Sequence, residues 1–435
     1  MSNKINRRDS LKIMVPGALA LSLPTIVPAS AFGANDRIRV AVIGHNGRGK
    51  DHIKNFMKLE NVEVATLCDV DEMVNQKGAA DFEKNYSKKV QTAKDLRKVF
   101  DDKNIDAVSI ATPNHWHALA AVYAMQAGKD VYVEKPATHD FNEGKMLLKA
   151  AKKYNRIVSH GVQLRSSVAI KEAIQHLRDG LIGKVYFARG LVYKWRPDIG
   201  DKGSSPVPAG LNWDLWQGPA ENKPFSANYV HYNWHWFWNY GNGDIANQGI
   251  HEMDLAMWGL DVGFPDEIMA AGGKFLWKDC KETPEHLNIT YKYPKEGKIL
   301  EFEVRPWMTN QEDGLEVGNL FYGDKGYMII NWYDDYKTFL GKERTPGPAK
   351  KEGGNHYLNF IEAVRAQDKN LLNGPIETGH LSSGTAHLGN ISYRLGRSLK
   401  FDPKTEKFIG DAEANAMLSR KYRAPYTVSD HSLLE

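Results

Sequence analysis

The sequence predicts an α/β half built on a parallel sheet, followed by an α+β half built on an open, mainly antiparallel sheet. Three observations carry that expectation. From Arg37 short apolar runs alternate with helical segments, a glycine-rich turn closes the first run, and after His160 apolar residues begin to alternate with polar ones.

The first 31 residues read as an export signal. Arg7-Arg8-Asp9-Ser10-Leu11-Lys12 precedes an apolar stretch that Pro16, Gly17 and Pro24 interrupt, and Ala29-Ser30-Ala31 supplies a cleavage site. The stretch is too short and too broken to leave a stable membrane span. The arginine pair resembles a twin-arginine signal, with Ser10 where a bulky apolar residue usually stands. An ordinary secretory signal or an uncleaved anchor is the alternative; the twin-arginine route predicts periplasmic export of a folded protein. This segment carries a net +3 of the chain's +4, so the remainder is near neutral and has no electrostatic footprint for nucleic acid. At 435 residues, with 42% hydrophobic and 25% charged, the chain is large enough for two ordinary domains with their own cores. Two cysteines, Cys68 and Cys280, make neither a disulfide framework nor a zinc site.

Residues 32–160 read as a dinucleotide-binding Rossmann domain. Strands are predicted at 38–43, 62–67, 106–111, 131–133 and 157–158, with helices between them, for example 119–126 and 144–154. Such alternation makes right-handed βαβ units. Gly44-His45-Asn46-Gly47-Arg48-Gly49 follows the first strand and matches G-x-G-x-x-G at Gly44 and Gly49, with Asn46 at the second glycine. In that turn a pyrophosphate sits on the helix N-terminus. Asp69 ends the second strand, where a carboxylate accepts hydrogen bonds from ribose hydroxyls and repels a 2′-phosphate, so NAD is expected over NADP. His115 and His117 lie two residues apart, but nothing nearby completes three or four zinc ligands, so no metal is predicted and both read as helix-start histidines lining the cofactor cleft.

Residues 161–435 read as an α+β substrate-binding domain whose C-terminal helices pack back on the first. Leu287, Ile289, Tyr291 and Tyr293 alternate with polar residues, as do Leu300, Phe302 and Val304. A Gly323-Asp324-Lys325-Gly326 turn joins 320–322 to 327–330. Helices are predicted at 356–366 and 381–395. Seven of the 11 tryptophans fall between Trp195 and Trp258, and 229–240 is crowded with aromatics. Aromatic faces stack on sugar rings and equally fill cores.

Ala111-Thr112-Pro113-Asn114-His115-Trp116-His117 at the third strand and Glu134-Lys135-Pro136 at the fourth, with the glycine turn, resemble the Gfo/Idh/MocA oxidoreductases, which include glucose–fructose oxidoreductase and inositol dehydrogenase. The resemblance covers nearly all of 37–400. It implies that Lys135 points at the carbon exchanging hydride with nicotinamide, and that Thr112, Pro113, Asn114, His117, Glu134 and Lys135 itself lie by the cofactor with Gly44, Asn46, Gly47, Arg48, Gly49 and Asp69. A lysine at the carboxyl edge of a parallel sheet also occupies the ligand crevice on general grounds. The family's D-x-G-x-H-x-x-D helix corresponds to Asn247, Gly249, His251 and Asp254, with Asn247 replacing the first aspartate. His251 is the candidate general base. Asn247 can bind a hydroxyl but cannot act as a base. Gln163, Arg165, His231, His235 and Trp236 are weaker substrate-binding candidates from their location.

The leading expectation is an NAD-dependent enzyme that oxidises a secondary hydroxyl of a sugar or glycoside and holds its nicotinamide tightly. The resemblance also implies a homo-oligomer formed through the C-terminal sheet. Two alternatives stay open: an NAD-dependent glycoside hydrolase working by transient C3 oxidation, elimination, hydration and re-reduction, and an inactive sugar-binding protein. The Glu-Lys-Pro triplet speaks against the first, and an intact Lys135 with His251 against the second.

Overall fold

The computed structural model describes residues 37–306 and 311–434; the expected export signal lies outside them. The first sheet contains β1 (Ile38–Ile43), β2 (Val62–Cys68), β3 (Gln91–Ala93), β4 (Ala107–Ile110), β5 (Asp130–Glu134) and β6 (Val158–Gly161). Their order is β3-β2-β1-β4-β5-β6 and every pairing is parallel. Helices α1 (Gly49–Phe56), α2 (Glu72–Tyr86), α3 (Leu96–Asp101), α4 (Asn114–Gln126) and α5 (Phe141–Tyr154) connect the strands. All residues of β4 and β5 are buried, as expected of strands covered on both faces. Asp71 and Asp95 accept from backbone N–H groups at the starts of α2 and α3, and Asp140 with Glu143 forms a capping box on α5.

Three local differences from the sequence reading have physical causes. Strand β3 has only three residues, none of them buried, so it leaves no apolar run to find. Helix α4 begins at Asn114, five residues earlier than expected, because its first turn is built from His115, Trp116 and His117, which carry no apolar period but are all buried. The last strand runs to Gly161 through Ser159 and His160, polar residues that are nevertheless fully buried.

Gly44 ends β1 with φ 77°, and a Cβ there would stand 2.7 Å from the Ala111 carbonyl oxygen. At Gly49 a Cβ would stand 2.1 Å from the Gly44 carbonyl oxygen. These two glycines let the turn fold tightly against the sheet. Gly49→Ala is expected to lower the unfolding free energy by about 2–3 kcal/mol, read from the urea midpoint, because backbone on both sides must shift. An unchanged midpoint would refute this reading of the turn.

The second half contains α6 (Val168–Arg178), β7 (Val185–Tyr193), α7 (Trp213–Gln217), α8 (Asp244–Asn247), α9 (Ile250–Leu260), β8 (Glu267–Gly273), β9 (His286–Tyr293) and β10 (Lys298–Arg305). They are followed by β11 (Val317–Gly323), β12 (Gly326–Asn331), β13 (Asp335–Leu340), β14 (Thr345–Lys351), α10 (His356–Ala366), α11 (Ile376–Leu395), β15 (Leu399–Asp402) and β16 (Lys407–Phe408). The ten strands form one sheet, β14-β13-β12-β11-β7-β10-β9-β8-β15-β16, in which only β7 and β10 run parallel. One face packs on α6, α9 and α11 through residues such as Val192, Ile289, Phe302 and Phe321. The other carries a stacked row, Phe187–Tyr322–Tyr327–Phe339, with ring centroids 5.3, 6.1 and 4.9 Å apart.

The chain then returns to the first sheet. Tyr357, Phe360 and Ile361 of α10 share a core with Val40, Val42, Phe56 and Tyr132, and Tyr132 stacks on Tyr357 at 5.1 Å. Tyr426, Val428 and Leu433 of the tail join the core beside α4. Among the described residues no helix is long and apolar enough to cross a membrane.

Candidate active site

β1 and β4 lie side by side where the strand order reverses, and beyond their carboxyl ends opens a cavity of about 370 Å³. This is where open parallel sheets bind ligands. Gly44, Asn46, Gly47 and Arg48 form one wall. No side chain caps α1; the Lys50 and Asp51 N–H groups already donate to the Gly47 and Arg48 carbonyl oxygens at 3.0 and 2.9 Å, so an anion would be met by the N–H groups of the turn ahead of them. Asn46 and Gly47 are exposed, and a Cβ on Gly47 would meet nothing within 4 Å. The turn's required left-handed backbone falls at Gly44, which explains why asparagine is accommodated two residues later. Asp69 lines the same cavity and accepts from the backbone N–H groups of His45 and Asp71 at 3.3 and 3.1 Å. Burial raises its pKa, and these donors partly offset that shift.

Glu134 and Lys135 sit at the end of β5. Arg48 Nε, His52 Nε2 and Gln163 Nε2 converge on Glu134 Oε1 at 3.1, 3.1 and 2.9 Å. Burial alone would raise the Glu134 pKa, but the Arg48 charge and the His52 contact hold it well below the usual carboxylate range. Lys135 Nζ donates to the Asn247 carbonyl oxygen at 2.6 Å. Burial pushes the Lys135 pKa down, opposed by the Glu134 charge. Thr112, Pro113, Asn114 and His117 complete this wall. His117 lies between the Pro136 and Thr112 carbonyl oxygens at 2.6 and 2.7 Å, whereas His115 turns away to the Trp216 carbonyl at 2.8 Å. The two rings therefore serve different backbone groups.

The opposite wall comes from α8 and α9. Asn247, Gln248 and His251 line the cavity, and His251 packs against Tyr333 with ring centroids 4.7 Å apart. Burial, then the Lys135 charge, depresses the His251 pKa well below its ordinary value, so the ring is a neutral acceptor at pH 7. Asp244 stands one helical turn before Asn247, but it does not replace the missing aspartate. Its two oxygens are engaged by Arg196 at 2.7 and 2.8 Å.

Four sequence candidates lie outside the cavity lining. Gly49 is buried beneath the turn, and Gln163 supports Glu134 and donates to Tyr132 Oη at 2.8 Å. Arg165 pairs with Asp254 at 2.6 Å and stacks on Trp258 at 4.6 Å. Trp236 is buried in an aromatic core beneath Arg196, 5.3 Å from its guanidinium carbon. His231 and His235 do reach the cavity. His231 lies at the nucleotide end, 3.2 Å from Asp71, while burial lowers the His235 pKa to about 3.

Several lining residues were invisible in the sequence. The segment from Trp195 to Gly243 crosses to the first sheet, where Leu211 bridges Asp71 and the Asn212 N–H donates to the Val70 carbonyl at 3.0 Å. It thereby brings Leu215, Trp216, Tyr232 and Trp234 over the cleft. The tryptophan cluster was the available signal, but which rings face the cavity depends on this crossing. Tyr333 comes from the β12–β13 turn, and no local motif marks it. Behind it Gln248 Nε2 donates to Tyr333 Oη at 2.9 Å and to Glu252 Oε1 at 3.1 Å, and burial raises the Glu252 pKa to about 8.

Two family models match in order: the oxidoreductase family's NAD-binding Rossmann fold over residues 38–162, and its C-terminal alpha/beta domain over 169–428. A Glycosyl hydrolase family 109 protein of Saccharopolyspora erythraea is 30% identical over 385 residues, 82% of this chain and 79% of that protein. One from Solibacter usitatus is 30% identical over 176 residues, 38% of this chain and 40% of that protein, so the match spans less than half of the relative. The WlbA dehydrogenase from Bordetella pertussis, solved with NADH and UDP-GlcNAcA, superposes with a TM-score of 0.64 at 19% identity, covering 84% of this chain and 99% of that one. The residues present fit NAD: a turn with room for nothing larger than glycine at Gly44 and Gly49, an uncapped helix N-terminus, and a carboxylate at Asp69. With both domain models matched in sequence order over this parallel sheet and its ten-stranded partner, the chain belongs to the Gfo/Idh/MocA oxidoreductase family.

Proposed function

We propose that this enzyme oxidises a secondary hydroxyl of a pyranose or glycoside at the expense of NAD. The observation that carries the reading is that Lys135 and His251, from different domains, line one cavity with the nucleotide-binding turn. NAD, when bound, supplies the acceptor for the hydride leaving the carbinol carbon. Lys135, its pKa lowered by burial, takes the hydroxyl proton as the carbinol becomes a ketone. His251, kept neutral, accepts a hydrogen bond from a hydroxyl and orients it. Asn247 offers an amide where the family motif has a carboxylate, so it binds a hydroxyl without moving a proton. Asp69 selects NAD: Asp69→Ala is expected to weaken NAD about tenfold in equilibrium titration while improving NADP relative to it. Equal loss for both nucleotides would contradict that role.

The relatives' name supports a second reading, in which the same oxidation is transient and a glycosidic bond is cleaved before re-reduction. Both share the first step. The deciding experiment releases and identifies any co-purified nucleotide, then screens pyranosides and aryl glycosides for NADH and for aglycone. Net NADH without aglycone supports the dehydrogenase, aglycone without net NADH supports the glycosidase, and no affinity for nicotinamide refutes both.

Export by the twin-arginine route belongs to this proposal, supported by Arg7-Arg8 and the apolar stretch after them. Since that route carries folded proteins, the cofactor would be loaded beforehand and kept. A homo-oligomer through the outer face of the ten-stranded sheet is supported by the aromatic row from Phe187 to Phe339.

A further inference from the structure

We propose that the mouth of the cavity carries a second saccharide subsite, built on Trp332 and Lys194, which binds the sugar ring attached to the one being oxidised. The inference rests on the pyranose reading of the site and narrows its substrate class to glycosides with a saccharide on the outer side.

Trp332 occupies the three-residue turn between β12 and β13 with φ 53°. The left-handed region suits glycine or asparagine, and a bulky aromatic residue there is held against its own preference. Packing against Tyr333 and Lys194 covers it only in part, and Trp332 stays 38% exposed. Its N–H continues the β11–β12 ladder by donating to the Val317 carbonyl at 3.2 Å, a bond that any residue but proline would make. What tryptophan adds is an indole ring held at the surface.

That ring is continuous with the site. Its centroid lies 5.9 Å from the Tyr333 ring, nearly perpendicular to it, and Tyr333 in turn packs 4.7 Å from His251. Trp332 does not itself line the cavity; it adjoins Tyr333, which does, and so stands next to the site, one ring removed from the residue that packs on His251. Lys194 Nζ stands 5.0 Å from the indole and donates to Gln248 Oε1 at 3.0 Å. The ammonium lies over one face of the indole and carries three N–H donors, of which the one on Gln248 holds the others above the ring. On the other side of the Asn247–Gln248 peptide, Tyr232 is 51% exposed and its hydroxyl accepts from Asn247 Nδ2 at 3.3 Å. The exposed remainder of the indole, with the ammonium over its other part, offers apolar surface and N–H donors together, which matches a pyranose with C–H groups on its face and hydroxyls at its rim. A purely aromatic aglycone would make no use of the ammonium.

The test is titration calorimetry on NAD-loaded protein with cellobiose, maltose and sophorose, each compared with the corresponding methyl glucoside. At least one disaccharide is expected to bind about tenfold more tightly than its methyl glucoside. Trp332→Gly, which also relieves the left-handed backbone, is expected to erase the difference without lowering the melting temperature, and Trp332→Phe to retain most of it. Monosaccharide binding should not change in either variant. No preference in the wild type, no binding of any sugar, or a preference that survives Trp332→Gly would overturn the subsite. Tighter binding of an aryl glucoside alone would overturn its saccharide assignment. Failure of the oxidation reading looks different: disaccharides bind with the Trp332 dependence intact, but no hydride is transferred.

Discussion

Lys135→Met is expected to lower kcat by about 10³-fold while changing the NAD dissociation constant by less than about threefold. Methionine keeps the length of the stem but removes the amine, so the cavity wall is preserved and the proton acceptor is lost. The nucleotide-binding turn, Asp69 and the N-terminus of α1 lie on other elements and do not depend on Lys135. The substitution should also change the pH profile of the residual activity. The Lys135 charge is one of the causes depressing the His251 pKa, after burial. Its removal raises that pKa somewhat, but the acid limb that Lys135 deprotonation imposes on the wild type disappears with the amine, so the residual activity is expected to persist to lower pH, down to the range where His251 protonates. Steady-state NADH formation across pH, with NAD binding followed by fluorescence, measures both effects. Full activity in the variant would remove Lys135 from the mechanism, and a proportional loss of NAD affinity would recast it as a cofactor ligand.

Stability is expected to fall steeply as pH drops below about 6.5, more than an average carboxylate-driven acid transition would give. Burial lowers the pKa of His115, His160, His235 and His387 to about 3 and that of His356 to about 4. In the unfolded chain these rings protonate near 6.5, whereas in the native protein they stay neutral until far lower pH. The unfolded state therefore binds more protons throughout this window. The stability that neutral histidines provide is complete above about pH 6.5 and is lost as pH falls. Each ring contributes up to about 1.4 kcal/mol per pH unit, so the five together remove about 6 kcal/mol between pH 6 and pH 5, comparable to the whole stability of many domains. Urea midpoints at pH 7, 6 and 5 test this. His387→Asn should reduce the slope by close to one proton, and flat midpoints over the range would disprove it.

The carboxylate at Glu134 works in a lower window. Its folded pKa is depressed, so the Arg48 and His52 contacts stabilise the protein above the ordinary glutamate range and are lost only as pH falls below it. Histidine loss and carboxylate loss should thus separate along the pH axis.

The alternation of apolar runs and helices from Ile38 to Gly161 identified the parallel sheet, because strands covered on both faces need continuous apolar residues and βαβ units space them regularly. Hairpins β9–β10 and β11–β12 were legible for a similar reason: one face of each strand is buried and the pattern has a period of two. Gly44, Asp69 and Lys135 were legible because their chemistry depends on position relative to a strand end, a local property. Gln163, Arg165 and Trp236 were placed near the site by chain position alone, and the structure commits them to Glu134, Asp254 and Arg196 instead.

Along the chain, then, the fold class and the cofactor turn were legible, and Lys135 and His251 were singled out as candidates, since each is written in spacings of a few residues along one element. Only the tertiary structure decided which side chains face the cavity together. Tyr333 reaches His251 across 82 positions of sequence, and Leu215 and Trp216 reach the cleft because Leu211 bridges Asp71. Such contacts follow from sheet order and from one segment crossing between domains, and no local period or propensity encodes them.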